Sequence, residues 1–314
     1  MGSRVALIGH GHLGKFHAQK AFELKGTDFT CIVDSYKPLD DIDTSSFPHV
    51  LKFDNLDQAL THFDAAIVAT PTSNHFETCK KLIKNDKHVF CEKPVTEEIS
   101  QADQLQSMME EKSLVFQVGQ SERFHQVWET IKSEKYQNFF GANSKIKIMR
   151  VAPFKGRATD VDVVTDLRIH DVDLICYLTG QTPKSVASRG YKYQTSHWDH
   201  VEAEFEFSSG MRAEIIVSRN YFEERRELTC TSDSGIISVD LMNCEFHSVS
   251  SDGSRDELLT YEKNDHLLNE QRLFFESIEK STAPVVTLKE GKIAVELVKG
   301  VLSSLETQTQ FRYG

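Results

Sequence analysis

Apolar residues in the first 120 positions gather in short uninterrupted runs. These are RVALI (4–8), FTCIV (29–33), HVLKF (49–53), AAIVA (65–69), HVFC (88–91) and LVFQV (114–118). Between them, over 13–25, 55–62, 75–85 and 97–112, apolar positions return every three or four residues, the spacing of amphipathic helices. Strands without polar alternation must be covered on both faces, so the pattern predicts a parallel sheet with helices on either side. Such a sheet opens a ligand crevice at the carboxyl ends of its strands.

The rhythm then changes. In VEAEFEF, Val201, Ala203, Phe205 and Phe207 alternate with Glu202, Glu204 and Glu206, which is a strand with one buried and one wet face. SVASRGYKY (185–193), MRAEIIVS (211–218), RELTCTS (226–232), GIISVDLM (235–242) and ELLTYE (257–262) read as further strands, with SSG (208–210) and SDSG (232–235) as turns. Two helices, near 265–280 and 288–306, close the chain. The expected organisation is an α/β domain over 1–121, a doubly wound parallel sheet, followed by an α+β domain over 122–314 with a large, mostly antiparallel open sheet. The wet face of that sheet is a natural symmetric interface, so a homodimer or homotetramer is expected.

Between the halves lies DVVTDLRIHDVDLICYLTG (162–180), a helical pattern that charge interrupts. Ile169, Val172, Leu174, Ile175 and Leu178 recur as a buried helix requires, yet Asp166, His170 and Asp173 follow at i, i+4 and i+7 on a neighbouring stripe. Such a stripe can hold a metal, stabilise a core or carry out acid–base chemistry. It lacks a further His or Cys at ligand spacing, so no metal is expected. In the acid–base reading His170 is the proton acceptor, since imidazole is the side chain that ordinarily titrates near neutral pH, and Asp166 holds the substrate hydroxyl or the imidazole.

Composition narrows the partners. The 314 residues carry 36 Lys and Arg against 47 Asp and Glu, a net charge of −11 without a basic run, which argues against nucleic acid and anionic membranes. No apolar run reaches membrane-spanning length. Cysteines 31, 79, 91, 176, 230 and 244 form no C-x-x-C pair and read as reduced thiols of a cytoplasmic protein, and the entry into SRVALIG predicts no secretory signal.

Three loops at strand ends carry the remaining chemistry. GHGHLG (9–14) follows one strand and opens a helix: Gly9 permits a tight turn, Gly11 a close approach of pyrophosphate, and Gly14 close helix packing, with the helix amino terminus at His12 and Leu13 facing the phosphates. Asp34 ends the second strand, where a carboxylate binds ribose hydroxyls and repels a 2′-phosphate; NAD is expected rather than NADP. ATPTSNH (69–75) brings Thr70, Pro71 and His75 to the same crevice, and CEKPV (91–95) brings Glu92 and Lys93. A lysine there can orient a hydroxyl or stabilise an alkoxide.

GHGHLG, Asp34, ATPTSNH, EKP and the D-x-x-x-H of DLRIH, in that order, resemble the glucose–fructose oxidoreductase / inositol dehydrogenase / MocA family over nearly the whole chain. The resemblance implies a Rossmann domain, an α+β substrate domain, and hydride exchange between a sugar carbinol and a nicotinamide cofactor. It also implies Lys93, Asp166 and His170 as catalytic residues. ERF (122–124), DVVTDLRIHDVDL, and SR (218–219) followed by RRELT resemble the branch acting on UDP-N-acetylglucosamine and related nucleotide sugars, whose 3-hydroxyl is oxidised. The glycine-rich lead-in common before the aspartate is VDVV here, and His125 and Gln126 stand where asparagine and proline often follow ERF. A diphosphate would need cations, for which Arg123, Arg157, Arg168 and Arg219 are candidates, with Asp173 as a further substrate contact. The substrate is expected between the domains. Three alternatives remain: an inositol-like polyol dehydrogenase, a dinucleotide-binding sensor without turnover, and a metal-dependent hydrolase using the 166–173 stripe.

Overall fold

A computed structural model of the chain describes residues 2–156, 162–164 and 169–314. It divides into two compact units, residues 1–121 with 265–295, and residues 122–264 with 296–314.

In the first unit the apolar runs become β1 (Ser3–Ile8), β2 (Thr27–Val33), β3 (Leu51–Phe53), β4 (Ala65–Val68), β5 (His88–Glu92) and β6 (Phe116–Gly119). They form a parallel sheet in the order β3-β2-β1-β4-β5-β6. Helices α1 (His12–Glu23), α2 (Leu56–Ala59), α3 (His75–Lys84) and α4 (Ile99–Glu110) connect the strands. The order reverses between β1 and β4, which is where a doubly wound sheet parts its loops and leaves a crevice.

The second unit is built on a nine-stranded sheet. Its strands are β7 (Lys145–Val151), β8 (Ser185–Tyr191), β9 (His200–Glu206), β10 (Arg212–Ser218), β11 (Arg225–Ser232), β12 (Gly235–Asp240), β13 (Glu245–Ser250), β14 (Arg255–Thr260) and β15 (Phe311–Arg312). The order is β14-β13-β12-β11-β7-β10-β9-β8-β15, with β7 and β10 parallel and the other neighbours antiparallel. Val201, Ala203 and Phe205 of β9 are buried while Glu202 and Glu204 are exposed, as their alternation requires. Helices α5 (Val127–Ile131), α6 (Ile169–Thr179), α7 (His266–Lys280) and α8 (Leu288–Thr307) complete the chain.

Strands β13 and β15 are absent from the sequence pattern, and two further departures from expectation have clear causes. Strand β7, at the centre of the second sheet, is hidden in KIKIMRV because its inward row of Ile146 and Ile148 continues into a charged residue, Arg150. Helix α7, expected in the second domain, belongs to the first unit: its Phe274 and Phe275 join the core that contains Leu7, Ile32 and Phe90. Periodicity identifies the apolar face of a helix but not the surface that face covers.

Helix α7 also buries polar groups. Gln271 Nε2 donates to His17 Nδ1 at 2.8 Å, which leaves His17 Nε2–H to donate to Glu92 Oε1, also at 2.8 Å. Beside them Glu270 is fully buried, and neither carboxyl oxygen has a hydrogen-bond partner among the described residues. Burial, with the charges of Glu92 and Asp265 nearby, pushes the Glu270 carboxyl well above the usual carboxylate range. The folded protein therefore retains a proton that the unfolded chain releases near pH 4.3 or so. Stability is lost as pH rises above that value, by about 1.4 kcal/mol per pH unit until the folded group ionises. Glu270→Gln keeps the shape and removes this slope. Its melting temperature is expected to exceed the parent's at pH 8 by several degrees, with the gap closing towards pH 5; a gap independent of pH would contradict the assignment.

Candidate active site

The glycine loop takes its shape from close backbone approaches. Gly9 has φ +95°, and a Cβ there would lie 2.8 Å from the carbonyl oxygen of Ala69. At Gly14 a Cβ would stand 2.1 Å from the carbonyl oxygen of Gly9, so only glycine lets α1 start this close to the strand end. Gly11 differs: a Cβ there meets nothing within 4 Å and would project into open space at the helix start. The first N–H groups of α1, those of His12, Leu13 and Gly14, have no intrahelical acceptor and suit an anion.

A cavity of about 450 Å³ lies against this loop, lined by Gly9, Gly11, Asp34, Tyr36, Thr70 and Pro71 among others. Asp34 Oδ2 accepts from the His10 N–H at 2.8 Å, and Oδ1 accepts from the Tyr36 and Lys37 N–H groups at 3.0 Å. One carboxylate thus ties the glycine loop to the end of β2. His10 Nδ1 and Thr70 Oγ1 are buried without a hydrogen-bond partner among the described residues. Orphaned polar atoms beside an open cradle are what a dinucleotide site shows without its ligand, so the residues fit the group.

The loops after β4 and β5 are joined by one side chain. His75, only 1% exposed, has Nε2 2.9 Å from the carbonyl oxygen of Thr70 and Nδ1 2.8 Å from that of Pro94. It braces the loops and is not part of the cavity wall. Burial lowers its proton affinity, and the two carbonyls oppose that shift. Glu92 acts in a similar way: Oε2 accepts from the Lys93 N–H at 3.1 Å and Oε1 from His17. Gly119 leaves room for that carboxylate, since a Cβ would sit 3.0 Å from Oε1. Lys93, half-buried and followed by a cis peptide to Pro94, is held at the carboxyl end of β5.

In the second unit, arginines grip the amino-terminal half of α6. Arg150 of β7 donates to both oxygens of Asp171, through Nε at 3.0 and 3.1 Å and through Nη2 at 2.8 Å. Arg123 donates to Asp173 through Nε and Nη2, both at 2.6 Å, and its guanidinium lies 4.9 Å from the Tyr177 ring. His170 precedes Asp171 and is half-buried. Asp166, Arg157 and Arg168 lie outside the described residues.

Three expected substrate contacts are accounted for differently. The Arg123 and Asp173 side chains are 1% and 2% exposed and bind each other, so the pair secures α6. Arg219 is committed to Asp199, with Nε 2.7 Å from Oδ1, and Asp199 also accepts from the N–H groups of Tyr193, Gln194 and Thr195. From the sequence each arginine reads as a free cation, because its carboxylate partner is distant in the chain or hidden in an apolar pattern. Tyr36, Asn74 and Glu77, which line the cavity, were not foreseen. The available signal was a tyrosine two residues past Asp34. Among the described residues no cluster of three or more His, Cys, Asp or Glu is placed to hold a metal, and all six cysteines are free thiols.

Residues 3–120 match the oxidoreductase family with the NAD-binding Rossmann fold, and residues 146–238 match the GFO/IDH/MocA C-terminal domain. The chain belongs to the Gfo/Idh/MocA family. A relative in this family, the UDP-N-acetylglucosamine 3-dehydrogenase of Acidithiobacillus ferrooxidans, is 32% identical over 286 residues, 88% of either chain. The solved structure of that enzyme matches with a TM-score of 0.90 at 29% identity, covering 98% of this chain and 99% of the other. The scyllo-inositol 2-dehydrogenase (NAD(+)) of Bacillus subtilis is 24% identical over 94% of this chain and 91% of its own length. The protein is thus an oxidoreductase, a dehydrogenase acting on CH–OH groups, with an NAD-binding Rossmann fold domain that uses a nicotinamide dinucleotide. Among the described residues no helix is long and apolar enough to cross a membrane.

Proposed function

We propose that the protein oxidises the 3-hydroxyl of a UDP-N-acetylhexosamine, using NAD. The observation that carries this reading is the likeness, over 88% of either chain, to an enzyme named for that reaction on UDP-N-acetylglucosamine. The cofactor preference rests on Asp34, whose carboxylate lines the cavity where ribose hydroxyls would bind and would repel a 2′-phosphate. When bound, the nicotinamide supplies the hydride acceptor.

The protein's own groups then have to manage one proton and one developing charge. His170 takes the proton of the sugar hydroxyl, an imidazole being suited to that task near neutral pH. The Lys93 ammonium faces the oxygen as it becomes an alkoxide and stabilises its charge, which needs no metal. Asp166 orients the hydroxyl or the imidazole. Glu92 and His75 contribute by holding the strand-end loops, and Arg157 and Arg168 are left as the cations for the diphosphate.

The test mixes purified protein with NAD or NADP and a panel of UDP-N-acetylglucosamine, UDP-N-acetylgalactosamine, UDP-glucose and the inositols, following reduced nicotinamide by its absorbance. Reduction with NAD and a UDP-N-acetylhexosamine, at least tenfold faster than with the other sugars, is expected. Turnover of inositol alone would assign the polyol reaction instead, and binding of NAD without turnover of any sugar would assign a sensor.

A further inference from the structure

A run of buried hydrogen bonds starts on α7 and ends at Lys93. Gln271, His17 and Glu92 stand on α7, α1 and β5; all three are buried, the first two completely. Phe274 and Phe275 already give α7 its apolar face against the core. Polar partners add nothing to that packing, and apolar groups of the same shape are often as stable in their place. Every polar atom taken from water must also find a partner. What distinguishes this run from packing is where it leads.

Its direction is fixed by its donors. Gln117 Nε2 of β6 donates to the Glu270 carbonyl oxygen at 2.9 Å, which anchors α7 at the residue before Gln271. Gln271 Nε2 lies 3.3 Å from the His17 carbonyl oxygen, an atom that only accepts, so the amide NH2 faces the histidine. The same NH2 meets His17 Nδ1 at 2.8 Å, and the ring proton therefore sits at Nε2, 2.8 Å from Glu92 Oε1. The Phe90 ring, its centroid 5.5 Å away, packs edge-on against the imidazole. Glu92 Oε2 accepts from the Lys93 N–H at 3.1 Å, and the carboxylate is seated against Gly119. Neither oxygen of the neighbouring Glu270 carboxyl takes part, both lacking a hydrogen-bond partner among the described residues.

We propose that His17 is a positioning residue for Lys93: Gln271 sets its tautomer, and its Nε2–H orients the Glu92 carboxylate that holds the lysine's backbone. This rests on the reading of Lys93 as the group that stabilises the alkoxide. A carboxylate bound at one oxygen can turn about its own side chain, whereas bonds at both oxygens leave it one orientation. The loop after β5 is in this way tied to α7 and to α1, the helix that opens at the glycine loop. Charge stabilisation needs the ammonium within about 0.5 Å of its place. A misplacement of about 1 Å costs about a hundredfold in rate.

The experiment follows the Lys93 amide by NMR in protein carrying isotope-labelled lysine, the resonance being assigned by its loss in Lys93→Ala. His17→Asn removes the N–H that faces Glu92, while His17→Gln places an amide N–H in the same position. In His17→Asn the Lys93 amide is expected to shift and to exchange with solvent about tenfold faster or more. Its kcat for sugar oxidation should fall about thirtyfold to a hundredfold, with NAD affinity within about threefold of the parent's. His17→Gln should restore the amide resonance and bring kcat to within about fivefold of the parent's. In Lys93→Ala protein, adding His17→Asn should lower kcat by less than about threefold, because the effect passes through the lysine. A loss there as large as in the parent background would overturn the proposal, as would an unmoved Lys93 amide in His17→Asn. Should His17→Asn fold poorly, His17→Gln decides, since a displaced amide with the N–H retained would contradict it. The amide is read without turnover. A displaced amide in His17→Asn, where the parent reduces NAD with no sugar, sinks the dehydrogenase reading alone, whereas normal parent turnover with an unmoved amide sinks the positioning alone.

Discussion

Lys93→Ala is expected to lower kcat for sugar oxidation about a thousandfold while NAD binding changes less than threefold. Removal of one preorganised charge from a developing oxyanion commonly costs a factor of about a hundred to a thousand. A lysine that also orients the hydroxyl belongs at the upper end of that range. The dinucleotide should be indifferent, because the 450 Å³ cavity at the glycine loop is lined by residues of other loops and Lys93 is not among them. His170→Ala should behave alike, with a loss of about a hundred- to ten-thousandfold, as is usual for a positioned acid–base group. Steady-state kinetics together with a direct NAD titration check both variants. Turnover within tenfold of the parent in both would remove these residues from the chemistry.

Gly14→Ala is expected to weaken NAD binding more than a hundredfold and to lower the melting temperature. Its methyl group would stand 2.1 Å from the Gly9 carbonyl oxygen, and the obstacle is backbone, which cannot turn aside as a side chain can. Gly9 has little freedom to retreat, since it is held at φ +95° against Ala69. Overpacking of this kind costs at least about 1–3 kcal/mol, and here the displaced atoms belong to the phosphate-binding turn itself. Gly11→Ala separates the two effects. Its methyl meets no protein atom within 4 Å, so the melting temperature should stay near the parent's while the methyl fills the pyrophosphate approach. Calorimetric NAD binding and thermal melts of both variants give the comparison. Parent-like affinity in Gly11→Ala would contradict the placement of the phosphates.

What could be read from the sequence follows a physical division. The glycine loop, Asp34 and the strand ends were legible because their roles are local: a turn that only glycine accepts, or a charge at the end of an apolar run. The alternation in VEAEFEF was legible because its outer face is wet. Interactions that join distant segments were not. Arg123 and Arg219 look like free cations until Asp173 and Asp199 are found against them. Strand β7 escaped detection because Arg150 occupies an inward position, and what justifies a charge there is the pair of carboxylates, Asp171 and Glu122. His75 and Glu92 were expected at the cofactor and instead hold the loops that border it, one through the carbonyls of Thr70 and Pro94 and the other through the Lys93 N–H. The stripe formed by Asp166, His170 and Asp173 is only partly described: Asp173 is paired with Arg123, and Asp166 lies outside the described residues.

In the proposed reaction a lysine and a histidine far apart in the chain serve one hydroxyl. A crystal structure of the protein with NADH and UDP-N-acetylglucosamine tests it most directly. The sugar 3-hydroxyl is expected within hydrogen-bonding distance of both Lys93 Nζ and the His170 imidazole; a sugar whose 3-hydroxyl touches neither would contradict the proposed reaction.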